Sequence, residues 1–144
     1  MMVNFFLPMV PPTVTHQEHE FKIVHGKVVV YEPPRLKDAR QMFMARLAGV
    51  KHRDPGWDYV FPIDGPIRLV TKWIFPTDDN HGDGEWKTTP PDTDNLIKLF
   101  KDCMTRCHYW HDDAQVCSEI TEKFYGDRSG IYVRIEPITQ NDDY

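Results

Sequence analysis

The stretch from Pro91 to Gln115 constrains this chain more than any other. Pro91-Asp92-Thr93-Asp94-Asn95-Leu96-Ile97-Lys98 opens a predicted helix over 95–107, and Tyr109-Trp110-His111-Asp112-Asp113-Ala114-Gln115 follows where that helix ends. Pro90 and Pro91 hold the approach extended, so Asp92 and Asp94 are expected to project to one side, as in a strand. Asp94 is then the expected N-cap, with Lys98 one turn further along the same face. Like charges a few ångströms apart repel strongly once partly desolvated, so carboxylates gathered in this way call for a cation. Their oxygens are hard ligands suited to Mg²⁺, and carboxylate-held divalent ions are a common device for hydrolysing phosphodiesters.

Taken one at a time, these residues have plainer readings. Asp92 and Asp94 serve as helix caps, Lys98 pairs with Asp94 or Asp102, and Asp112-Asp113 is a solvated turn. Taken together they form a pattern. Asp92-x-Asp94-Asn95-Leu96-x-Lys98-x-x-x-Asp102, followed by Trp110-x-Asp112-Asp113-Ala114-Gln115-Val116, resembles the RusA family of Holliday-junction resolvases, endonucleases that cut four-way DNA junctions. The resemblance implies a RusA-like α+β fold and a Mg²⁺-dependent endodeoxyribonuclease, with Mn²⁺ as a substitute, acting on branched DNA as a homodimer in recombination and repair. It implies that Asp92, Asp94 and Asp113 hold the metal, that Lys98 joins them in catalysis, and that Asn95 and Asp112 orient the carboxylates. Spacing alone does not return Asp113 to the helix start; the resemblance makes that assignment. Where a member of the family carries an arginine run, this chain reads Lys87-Thr88-Thr89-Pro90-Pro91. A non-catalytic DNA-binding or phage-assembly protein that keeps the acidic motif as structure is the other function class.

Charge is the feature that fits DNA least well. A formal net charge of −5 lacks the basic footprint of a DNA-binding domain. The cations are unevenly placed, however, with Arg35, Lys37, Arg40, Arg46, Lys51 and Arg53 set against Asp38 and Asp54 alone. The segment Phe5–Val10 is broken by Pro8, has no basic leader and is too short to span a bilayer, so a cytoplasmic address is expected; the resemblance implies a bacterial or phage origin. Three cysteines, two of them within one helix, argue against a disulfide framework.

At 144 residues one domain, 1–144, is expected. Its elements alternate: a strand over Val3–Met9, a hairpin of Phe21–Val24 and Lys27–Tyr31 about His25-Gly26, and a helix from Arg35 to Val50. That helix shows apolar Leu36, Ala39, Phe43, Leu47 and Val50 at helical spacing. A strand over Ile67–Phe75, a mobile loop from Pro76 to Pro91, the central helix, and strands at Val116–Phe124 and Ile131–Ile135 about a Gly126–Gly130 turn complete the order. The fold class is α+β, with a mixed sheet and two main helices. Two rival metal sites arise: Cys103, Cys107 and His111 recur every four residues beside His108, and Asp78-Asp79-Asn80-His81-Gly82-Asp83-Gly84 offers carboxylates in a loop. The cysteines share the apolar stripe of the helix with Leu96 and Phe100, which favours packing over zinc. The loop lacks the ligand spacing and closing Glu of an EF-hand.

Overall fold

The computed structural model describes residues 2–13, 20–31, 33–51, 53 and 59–139; Asp54 lies outside the described residues. Strand β1 is Val3–Pro8, the hairpin strands β2 and β3 are Glu20–Val24 and Lys27–Tyr31, and helix α1 is Pro34–Lys51. Strand β4 (Ile67–Pro76), helix α2 (Thr93–Arg106), strand β5 (Val116–Gly126) and strand β6 (Gly130–Pro137) follow. The expected α+β class with a mixed sheet and two main helices is what forms.

Alternation along β4 determines the layering. Ile67, Leu69, Thr71, Trp73 and Phe75 are buried while the residues between them are half-buried, so one sheet face carries the core. Helix α1 buries Leu36, Ala39, Phe43, Leu47 and Val50, the five positions its periodicity marks. Helix α2 contributes Leu96, Ile97, Leu99, Phe100, Cys103 and Met104. Three rings join the layers: Phe43, Trp73 and Phe100 meet edge to face, at centroid separations of 6.0 Å, 5.1 Å and 5.4 Å. Such pairs contribute about 0.5–1.5 kcal/mol each beyond burial, and here they join α1, β4 and α2.

The sheet order is β1-β6-β4-β5, with β4 parallel to β5 and antiparallel to β6. Strands β5 and β6 are consecutive, yet they do not pair, because β4 lies between them. At the start of β6, Gly130 leaves no space for a Cβ against the Phe6 ring and the Leu7 carbonyl. The β2–β3 hairpin forms a sheet of its own, turned by His25 and Gly26 at φ 50° and 75°, the positive values that a tight two-residue turn requires.

The segment after β4, expected to be mobile, is instead fixed along the edge of β5. Gly84 N donates to the Tyr125 carbonyl and Tyr125 N to the Glu85 carbonyl, each at 2.8 Å, and Lys87 N donates to the Lys123 carbonyl at 3.2 Å. Lys123 Nζ then bonds the carbonyls of Thr89 and Pro91 at 2.7 Å and 2.8 Å. An open strand edge presents unpaired backbone groups, and this segment satisfies them. It also fixes the point at which α2 begins.

Candidate active site

Helix α2 starts two residues earlier than the spacing predicts. Asp92 is the N-cap, with extended dihedrals (φ −72°, ψ 152°) and no side-chain capping bond, while Asp94 already lies in the first helical turn. This corrects the expectation that Asp94 caps the helix and that both acids share a strand-like side. With Asp92 extended and Asp94 already inside the first helical turn, the two do not follow the strand alternation that would put them on one side. Asp94 and Lys98 do share a face, one turn apart, and both are exposed. The positive end of the helix dipole favours the charge on Asp94.

The second acidic block returns by a built turn. Trp110 is fully buried, donating from Nε1 to Thr105 Oγ1 at 2.7 Å. Asp112 caps a single 3-10 turn over Asp113–Gln115, accepting from Ala114 N at 3.0 Å. Gln115 locks that turn: its Oε1 accepts from His111 N and Asp112 N at 2.8 Å and 3.0 Å. Its Nε2 donates to the carbonyls of Ile63 and Gly65 at 2.9 Å and 3.0 Å. Asp112 is thereby occupied with the backbone and Asp113 is exposed.

Asp94, Lys98 and Asp113 line one cleft of about 290 Å³, together with Ile97, Lys101 and Glu119. Asp92 stands at the helix entrance and is not a lining residue. Asn95 is buried, and its Oδ1 has no hydrogen-bond partner among the described residues. Lys101 and Glu119 are the two charged cleft residues the sequence reading missed. Asp102 pairs with Arg40 and Arg106, the latter at 3.3 Å, and not with Lys98.

Donor chemistry in the cleft is carboxylate oxygen, from Asp94, Asp113 and Glu119, which fits a hard divalent cation such as Mg²⁺. Among the described residues no three His, Cys, Asp or Glu side chains are drawn together tightly enough to hold a metal.

The rival sites do not assemble. Cys103 Sγ faces the Arg40 carbonyl and Cys107 Sγ the Met44 carbonyl, whereas His111 Nε2 reaches Asp64 at 2.7 Å. Burial pushes the Cys103 thiol up to about 12 and raises Cys107 as well, which keeps both protonated and poor ligands. In the loop, hydrogen bonds from His81 and then Asn80 hold the Asp78 carboxyl below its usual value, and Asp83 accepts from Asp127 N. All three cysteines are free. The exposed Cys117 is expected to react first with a thiol reagent in mild alkali, and Cys103 only after unfolding; counting modified thiols with and without denaturant checks the order. Cys103→Ala with Cys107→Ala is expected to cost stability through the lost buried volume while leaving the fold intact, which thermal melting checks.

The basic segment on α1 is only partly available to a ligand. Arg40 pairs with Asp102, Arg46 Nη1 donates to the Pro8 carbonyl and Lys51 Nζ to the Cys107 carbonyl, so packing against α2 and β1 engages these three.

Residues 9–136 match the family described as Endodeoxyribonuclease RusA. The chain belongs to the RusA family. It is an endodeoxyribonuclease, which sets aside the non-catalytic alternative. Among its RusA-like relatives, the crossover junction endodeoxyribonuclease rusA of Lactococcus phage r1t is 27% identical over 124 residues, covering 86% of this chain and 89% of that protein. An uncharacterized protein, YqaN of Bacillus subtilis (strain 168), is 28% identical over 128 residues, covering 81% of this chain and 84% of that protein. Among the described residues of this RusA-family chain, no helix is long and apolar enough to cross a membrane.

Proposed function

We propose that this RusA-family chain, acting as one domain over 1–144, is a Mg²⁺-dependent, structure-selective endodeoxyribonuclease. It resolves four-way (Holliday) DNA junctions in recombination and repair by paired phosphodiester cleavage, as a homodimer in the cytoplasm of a bacterium or phage host. The observation that carries the reading is the shared cleft of Asp94, Lys98 and Asp113 in a chain of this family. The name of the phage r1t relative supports junctions as the substrate.

Asp94 and Asp113 in the cleft, together with Asp92 at the helix entrance outside it, are the residues assigned to hold the cation, with Mn²⁺ able to replace Mg²⁺. When bound, such an ion supplies Lewis acidity for an attacking water and a leaving 3′ oxygen. Lys98 places its ammonium against the phosphate, where it offsets the charge that grows as the bond breaks. Ile97, buried at the cleft, gives that charge pairing a dry wall, and a lower local dielectric strengthens it. Asp112 and Gln115 keep the turn of Asp113 in place, and Asn95, buried next in sequence to Asp94, is assigned to orient the carboxylates.

Each chain presents one such cleft and serves one scissile phosphate, so two-fold DNA is matched by two chains about a two-fold axis. The expected result with a supercoiled plasmid that extrudes a cruciform is mainly linear product carrying ligatable nicks in its hairpin ends. Accumulation of singly nicked circles by a protein that sediments as a monomer would remove the resolvase reading and leave a less specialised nuclease.

A further inference from the structure

The pairing of β5 with β4 changes register at its first residues. Ile67 faces Val116, but Arg68 faces Ser118, so Cys117 is an extra residue in the strand. A bulge of this kind moves every later side chain to the opposite face. Ser118 consequently turns outward, accepting from Arg68 Nε at 3.2 Å, and Glu119 stands beside Leu69 on the helix-covered face. Without the extra residue Glu119 faces away from the cleft.

In the cleft Glu119 meets Lys101. Lys101 Nζ donates to Glu119 Oε2 at 2.8 Å, and Thr121 Oγ1 donates to Glu119 Oε1 at 3.4 Å. Both partners are partly exposed, and an exposed pair of this kind adds little to stability. The arrangement has a clearer consequence for binding. An ammonium carries three N–H donors, of which Glu119 takes one, so two remain beside the cleft. Lys101 follows Lys98 by three residues, which puts the two stems next to each other on the helix surface. The cleft thus presents two adjoining cations to an anionic polymer whose charges repeat along its length. Lys101 also neutralises a carboxylate that would otherwise face the DNA backbone.

We propose that Lys101 binds a DNA phosphate next to the scissile one, and that Glu119, delivered by the bulge at Cys117, is the positioning residue that holds its ammonium in the cleft. The proposal rests on the reading of this cleft as the place where DNA is cut. Its two halves have opposite signs in binding. Lys101→Met removes a cation and leaves Glu119 bare, whereas Glu119→Gln removes an anion and leaves Lys101 charged.

The test is binding of an oligonucleotide four-way junction across a salt series, with Ca²⁺ replacing Mg²⁺. Lys101→Met is expected to bind about tenfold more weakly at moderate salt. Its slope of log affinity against log salt is expected to be shallower by about 0.9, the loss of one phosphate contact. Glu119→Gln is expected to keep the slope and bind at least as tightly, and Lys101→Arg to resemble the wild type. In cleavage with Mg²⁺, the deficit of Lys101→Met is expected to fall on KM more than on kcat. If the pair only braces the fold, both variants break the same bridge and weaken binding alike with unchanged slopes, which overturns the proposal. A wild-type protein that cuts no junction overturns the functional reading and this inference together; an active wild type with an unchanged Lys101→Met slope overturns this inference alone.

Discussion

Asp94→Asn and Asp113→Asn are each expected to lower junction cleavage at least about a hundredfold, equivalent to a barrier roughly 2.7 kcal/mol higher. Each change keeps the shape of the side chain and removes the charge that a divalent cation requires. Both residues are exposed, so folding does not depend on burying them. Asp94 loses a favourable interaction with the helix dipole, worth about 0.3–1 kcal/mol at such a position, and thermal melting isolates that cost. Junction binding is expected to persist or tighten, because a negative charge facing DNA has gone. Cleavage by both purified variants at the wild-type rate eliminates this site.

Gln115→Ala is expected to lower turnover between about tenfold and a hundredfold without altering the charge of the cleft. The side chain makes four hydrogen bonds, two holding the Asp112 turn and two reaching the carbonyls of Ile63 and Gly65. At about 0.5–1.5 kcal/mol each, tempered by the half-exposed setting, their loss is expected to destabilise the fold by roughly 2 kcal/mol. The larger consequence is positional, since an ångström of displacement at a reacting centre can cost about a hundredfold in rate. Junction affinity and its salt dependence are expected to stay as in the wild type, because no cation is removed. A full loss of DNA binding, or unchanged turnover with the turn demonstrably loosened, contradicts this account.

Much of the molecule follows from local pattern. The helical spacing of Leu36, Ala39, Phe43, Leu47 and Val50, and the alternation along Ile67–Phe75, mark core faces that the fold buries as written. Both signals are periodicities of the backbone itself, so a sequence carries them whatever packs against them. The same holds for Asp94 and Lys98, one turn apart on α2, and for the His25-Gly26 turn. The odd cysteine count and the placing of two in one helix argued against a disulfide framework, and the three cysteines are free.

Other features depend on neighbours that no window of sequence contains. The segment 77–91 reads as an unstructured loop because its glycines, prolines and acids lack periodicity, yet the open edge of β5 recruits its backbone. The cations of α1 read as a surface patch, but Arg40 and Lys51 are committed to α2 and its C-terminal end. Asp94 reads as a cap until the position of the helix start, braced by Lys123 on the carbonyls of Thr89 and Pro91, gives that place to Asp92. Glu119 was out of reach for the same reason: a single extra residue at Cys117 turns it into the cleft, and whether a strand bulges is decided by its partner. The sequence by itself determined which segments are amphipathic and which residue types meet in the Asp92–Gln115 motif, because those are matters of spacing. Tertiary structure decided strand order, register and the full membership of the cleft, because each is a contact between residues far apart in the chain.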